Sequence, residues 1–155
     1  MFQLPPNLRC DLDRLDGLLA LLPDGTPAAL EFRHESWFDE AVFEKLRSRN
    51  LPVVIVDAEE DATPDVIATA DWGYLRLRRP GYDEGEIRAW ADRVAGAAWS
   101  RALVYFKHED AGAGPELAAR FLAATGAPAK RAPAVSSPAK KTPERKRTAR
   151  ARNAG

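Results

Sequence analysis

Apolar positions along the chain switch between two periods, and the switches mark out strand–helix units. A short Phe2-Gln3-Leu4 segment is stopped by Pro5-Pro6, which lack the amide donors that regular pairing needs. Leu8, Leu12, Leu15, Leu19 and Leu22 then recur at three- and four-residue spacing, one apolar stripe on a helix that Pro23-Asp24-Gly25 ends. Ala28–Arg33 reads as a strand, with Leu30 and Phe32 facing one way and Glu31 and Arg33 the other. Ser36 and Asp39 are both candidate caps for the next helix. Phe43 and Leu46 lie on its apolar face, and Asn50 suits a left-handed C-terminal position before Leu51-Pro52.

Val53-Val54-Ile55-Val56 is apolar on both faces, the pattern of a parallel strand covered by helices, and Asp57 stands at its carboxyl end. Thr63-Pro64 predicts a further helix start, with an N-cap followed by Pro at the first helical position. A second round follows. Tyr74–Leu77 is a strand, Asp83 and Glu86 have capping-box spacing, and Ile87, Trp90, Ala91 and Val94 form a helical stripe. Leu103–Phe106 is the last strand; Gly112–Gly114 leads through Pro115 into a helix with Leu117, Phe121 and Leu122 inward, closed by Gly126. Repeated strand–helix units with short linkers predict an α/β fold with a parallel sheet.

Charge divides the chain in two. The 23 Lys+Arg and 23 Asp+Glu balance exactly in number over 155 residues, but residues 127–155 hold nine basic residues against Glu144 alone, a net +8. The first 126 residues are left at −8. The basic arm has no aromatic residue, Val135 is its only large aliphatic one, and Pro128, Pro133, Pro138 and Pro143 break any long helix. With almost nothing to bury, it is expected to be a disordered basic Ala/Lys/Pro-rich tail, similar in composition to linker-histone-type tails. Lys140, Lys141, Arg145, Lys146 and Arg147 are its candidate nucleic-acid contacts.

The longest purely apolar run, Val53–Val56, is far short of the roughly 20 residues a membrane span needs. Met1 is followed by Phe-Gln-Leu-Pro-Pro, with no basic n-region and apolar stretch, and Cys10 has no partner for an intrachain disulfide. These features lead us to expect a cytoplasmic protein without a membrane partner.

The string Leu30-Glu-Phe-Arg-His-Glu-Ser-Trp-Phe38 is specific. With Phe2-Gln-Leu-Pro-Pro6 before it, and Tyr74-Leu-Arg-Leu77 and Val104-Tyr-Phe-Lys-His-Glu-Asp110 after it, the chain resembles the YecE-like family (domain of unknown function 72) over residues 2 to about 124. The resemblance implies a TIM-type (β/α) barrel whose Gln-Leu-Pro-Pro segment lies near the middle. Here that segment begins at residue 2, so residues 1–126 are expected to form a partial barrel, roughly the second half, with about four of the eight strand–helix units. Without the resemblance, the alternative is a small open parallel α/β sheet, doubly wound. Half a barrel leaves two open strand edges, which invite self-association or a completing chain; a truncated or split barrel is the expectation.

In barrels and open α/β sheets alike, sites form beyond the carboxyl ends of the strands. The polar residues there are Glu31, Arg33 and His34, then Asp57, then Arg76 and Arg78, then Tyr105, Lys107 and His108. Glu31 and Arg33 share a face, as do Arg76 and Arg78, and Tyr105 and Lys107, so a curved sheet can bring them together. Each also has a plainer use: a Glu31–Arg33 salt bridge, Asp57 capping a turn, His34 bonding the next loop, Trp37, Trp90 and Trp99 packing. Arg78-Arg79 and Lys107-His108 read as solvated loop charges or a shared anion site, and Gly112-Ala-Gly-Pro as a weak anion-binding turn.

No Gly-x-Ser-x-Gly elbow, no Cys/His metal spacing and no dinucleotide fingerprint is present, so nothing in the sequence identifies a metal or cofactor. Two functions fit. The first is an enzyme-like barrel doing acid/base chemistry on an anionic small molecule, with Glu31, His34 and Asp57 as catalytic candidates and Arg33, Arg76, Tyr105 and Lys107 as substrate-binding ones. The second is non-specific nucleic-acid binding through the basic tail, with a log–log salt slope of about −4 if half its charges meet phosphates.

Overall fold

The computed structural model describes residues 1–58, 64–107 and 113–126. The basic tail, with Lys140, Lys141, Arg145, Lys146 and Arg147, lies outside the described residues, as do Thr63, His108 and Gly112. Among the described residues, five strands and four α-helices follow one another as β1 (Phe2–Gln3), α1 (Leu12–Leu21), β2 (Leu30–Glu31), α2 (Glu40–Ser48), β3 (Val54–Asp57), β4 (Trp72–Leu77), α3 (Glu84–Gly96), β5 (Arg101–Phe106) and α4 (Ala113–Thr125). A single 3₁₀ turn, Glu35–Trp37, stands between β2 and α2.

Every strand pairing among the described residues is parallel. β1 pairs with β2, and β3, β4 and β5 pair in sequence order. A single bridge, Leu30 to Val53, joins the two sets. Spatial order therefore follows chain order without a reversal, whereas a doubly wound sheet needs one. Sequential parallel strands send their helices to the same face. Leu30 and Phe32 pack there with Leu15, Leu19, Val42 and Leu46 of α1 and α2. Ile55, Leu75 and Leu77 pack there with Ile87, Trp90, Leu117 and Phe121 of α3 and α4. Leu30, Val42, Leu46, Leu75 and Leu77 are fully buried, each contributing about 1.5–3 kcal/mol of transfer free energy. The result is a partial, barrel-like α/β arc and not a doubly wound sheet; among the described residues β1 and β5 each have a strand on one side only, so no barrel closes.

Several boundaries differ from the sequence pattern for identifiable reasons. α1 starts at Leu12 rather than Leu8, because Asp11 takes the N-cap by accepting from Arg14 N at 3.0 Å and the Leu8 carbonyl accepts from Trp37 Nε1 at 2.8 Å. β2 keeps only two residues of the expected six: Leu4 N donates to Glu31 O at 2.9 Å, and Pro5-Pro6 offer no donor beyond it. Pro64–Thr69 form no helix. Thr69 is buried instead, its hydroxyl accepting from Val53 N (2.9 Å) and donating to Leu51 O (2.8 Å), a tie that fixes the start of β3. The Asp83–Glu86 capping box forms as expected, and Asn50 (φ 53°) and Gly126 (φ 66°) are left-handed after α2 and α4.

Candidate functional site

β2 and β3 meet once and then part. Leu30 N donates to Pro52 O at 3.1 Å, within the single bridge, Leu30 to Val53, that joins the two strands among the described residues. Toward their carboxyl ends a cleft of about 340 Å³ opens, lined by Glu31 and Arg33 on one side, Val54–Val56 on the other, and Pro6, Phe38, Asp65, Ile67 and Arg78 around it. This is the end of the sheet where the sequence placed candidate chemistry.

Glu31 is 1% exposed and forms an ion pair with Arg76. Alternation within β2 offered Arg33 as its partner; Arg33 instead lies past the strand end, exposed to solvent. Arg33 and Arg78 both line the cleft, and neither guanidinium has an ion-pair partner among the described residues. The face of the sheet away from the helices carries Val54, Val56, Tyr74, Arg76 and Tyr105, with Arg76 registered against Val56 and Tyr105. Tyr74 and Tyr105 stack at 5.1 Å and 26°. Burial, reinforced by Tyr105, raises the Tyr74 pKa, so its phenol stays protonated through the neutral range. Tyr105 is 51% exposed on the open β5 edge, and Lys107 follows β5, its backbone N–H donating to Leu77 O at 2.9 Å.

Asp57 and His34 stand apart from the cleft lining, as do Arg76, Tyr105 and Lys107. Asp57 is 1% exposed, and its Oδ2 accepts from Tyr82 OH at 3.0 Å, Trp90 Nε1 at 3.0 Å and Arg79 Nε at 3.1 Å. It therefore pins α3 and the segment before it to the end of β3. Burial pushes the Tyr82 phenol up to about 12 despite opposing bonds from Arg79. Burial alone would lower the Arg79 pKa, but bonds to Glu86 (2.7 Å) and Tyr82 and the Asp57 charge raise it. His34 caps the 3₁₀ turn: Nδ1 accepts from Ser36 N at 3.1 Å, within hydrogen-bond reach of Ser36 Oγ at 2.9 Å.

Phe38 and Asp65 are cleft residues that strand periodicity did not pick out, because they come from the turn after β2 and from the irregular crossover between β3 and β4. Trp90 was legible only as a packing residue, and nothing in the sequence singled out Tyr82. Their polar atoms gave no periodic signal that they would converge on Asp57.

A family model described as "Protein of unknown function DUF72" matches residues 1–144. No curated protein matches the chain. Among solved structures, a DUF72 family protein of Enterococcus faecalis V583 is similar in crystal structures at 3.10 and 2.52 Å resolution, with TM-scores of 0.67 and 0.65 and identities of 17% and 19%. Each match covers 80% of this chain, and 57% and 59% of the other respectively. A DUF72 family protein of Thermotoga maritima MSB8, at 2.20 Å resolution, gives a TM-score of 0.62 at 24% identity, covering 80% of this chain and 55% of that one. The chain thus spans somewhat over half the length of these structures, and the likeness is one of fold.

Proposed function

Since the chain belongs to the DUF72 family, whose function is unknown, we propose from its own residues that the cleft between β2 and β3 binds a small anion, on which Glu31 carries acid–base chemistry with Arg76 as its counterion. The observation behind this reading is that Arg33 and Arg78 line one cleft with no carboxylate paired to either among the described residues. An anion seated in the cleft would make charge-assisted hydrogen bonds with these guanidiniums.

Glu31 is the buried carboxylate of the cleft, so it is the group in reach of a bound ligand for proton transfer, with Arg76 holding its charge. Tyr105 and Lys107 stand at the same end of the sheet, on and just after β5, outside the cleft lining. Asp57, with three donors on one oxygen, and His34, used as a cap, take structural roles in this reading. A barrel-like arc that gathers its polar residues at the carboxyl ends of the strands has the layout of an enzyme-like site.

Calorimetric titration of the 155-residue chain with inorganic phosphate tests the anion site. Arg33→Ala and Arg78→Ala should each weaken binding by about tenfold, the loss of one charge-assisted contact of about 1.4 kcal/mol. Undiminished binding in both variants, or no binding by the parent chain, overturns the reading.

A further inference from the structure

An anion site accounts for the arginines of the cleft but not for its apolar side. Phe38 is 48% exposed, although it is held in place. Its ring meets Phe32 edge-on at 6.5 Å and 79°, and Phe32 lies flat on Trp37 at 4.9 Å and 6°. Trp37 is buried and anchored in turn, its indole N–H donating to the Leu8 carbonyl at 2.8 Å. Pro6, Val56 and Ile67 continue the apolar lining beside it. A phenyl ring fixed by a buried aromatic layer, yet facing a cleft, is a pre-organised surface for another flat apolar group.

We propose that the cleft takes an arylated anion, a small molecule in which an aromatic ring carries a phosphate or a carboxylate. Arg33 and Arg78 hold the charged group, and Phe38 takes the ring edge-on or offset-stacked. This rests on the anion-site reading above and adds the apolar half of the ligand. The cleft's volume of about 340 Å³ lies in the range of small-molecule pockets, about 300 to 1,000 Å³, and has room for a ring with its charged substituent.

Parallel titrations of the full chain with phenyl phosphate and with inorganic phosphate separate the two readings. Phenyl phosphate should bind about tenfold or more tightly than inorganic phosphate, and Phe38→Ala should abolish that advantage while leaving inorganic phosphate unchanged. Arg33→Ala and Arg78→Ala should weaken both ligands together. Equal affinity of the parent chain for the two ligands overturns the arylated-anion proposal and leaves the anion site standing. An advantage that survives in Phe38→Ala overturns the role of Phe38, and binding of neither ligand overturns both readings.

Discussion

Arg76 on β4 reaches past β3 to pair with Glu31 on β2. The partners sit on strands that are not neighbours, so the ion pair laces the sheet together where β2 and β3 part. The two ends are unequal: Glu31 is 1% exposed, while the Arg76 side chain keeps 27% of its surface. Water can help to solvate the arginine if the pair is broken, but not the carboxylate.

That asymmetry sets the order of two substitutions. Arg76→Met leaves a buried carboxylate without its cation and should cost about 3–5 kcal/mol. Glu31→Gln leaves a cation that water reaches and should cost clearly less. Urea unfolding followed by tryptophan emission measures both. Equal losses would mean that the pair contributes through packing rather than charge.

The Asp57 cluster responds to pH in a defined direction. Tyr82 titrates near 12 in the folded chain, against about 10 when exposed, so folding favours its protonated form. Its contribution is complete below about pH 10 and is lost as the pH rises toward about 12. Tyr82→Phe removes a bond to a buried carboxylate and should cost about 1.5–3 kcal/mol near neutral pH. The stability gap between parent and variant should then narrow between about pH 10 and 12. A gap that stays constant through that window would show that the phenol does not titrate there.

Local signals in the sequence were strong where backbone chemistry alone decides. The Asp83–Glu86 box and the Asn50 and Gly126 helix ends formed where residue type placed them, and the apolar Val53–Val56 run gave a strand at Val54–Asp57. The signals failed where a tertiary bond outbid a local preference. Thr69 is used to tie Leu51 to Val53 rather than to continue a helix, and Trp37 takes the Leu8 carbonyl that a longer α1 would need. The same holds at the cleft: the residue types were legible at the strand ends, but the Glu31–Arg76 pairing depends on how adjacent strands register and part.

Packing on the helix side of β4 leaves no room at Gly73. A Cβ there would stand 2.3 Å from Trp99 Cζ3, with two further ring atoms within 2.7 Å. Gly73→Ala must displace the indole, at an expected cost of about 1–3 kcal/mol, and should alter the tryptophan emission of the folded state. Combining it with Trp99→Leu should recover part of that loss, because the two sites share one contact. Strictly additive losses would place the clash elsewhere.

Asn50 joins the end of α2 to the start of β4 by three bonds. Its amide donates to Asp71 Oδ1 at 2.8 Å and accepts from Asp71 N at 2.8 Å, while its carbonyl accepts from Trp72 Nε1 at 3.3 Å. Its φ of 53° adds a backbone requirement that Asn meets better than most residues. Two substitutions separate these effects. Asn50→Gly keeps the left-handed backbone and loses only the side-chain bonds, whereas Asn50→Ala loses both. Alanine should therefore be less stable than glycine by about 1 kcal/mol, and glycine less stable than the parent by a further 1 kcal/mol or so, by urea unfolding. Amide exchange should quicken at Asp71, whose N–H then has no acceptor from the Asn50 side chain. Glycine matching the parent would show that the paired side-chain bonds contribute nothing, and alanine matching glycine would place the whole effect in those bonds rather than in the backbone.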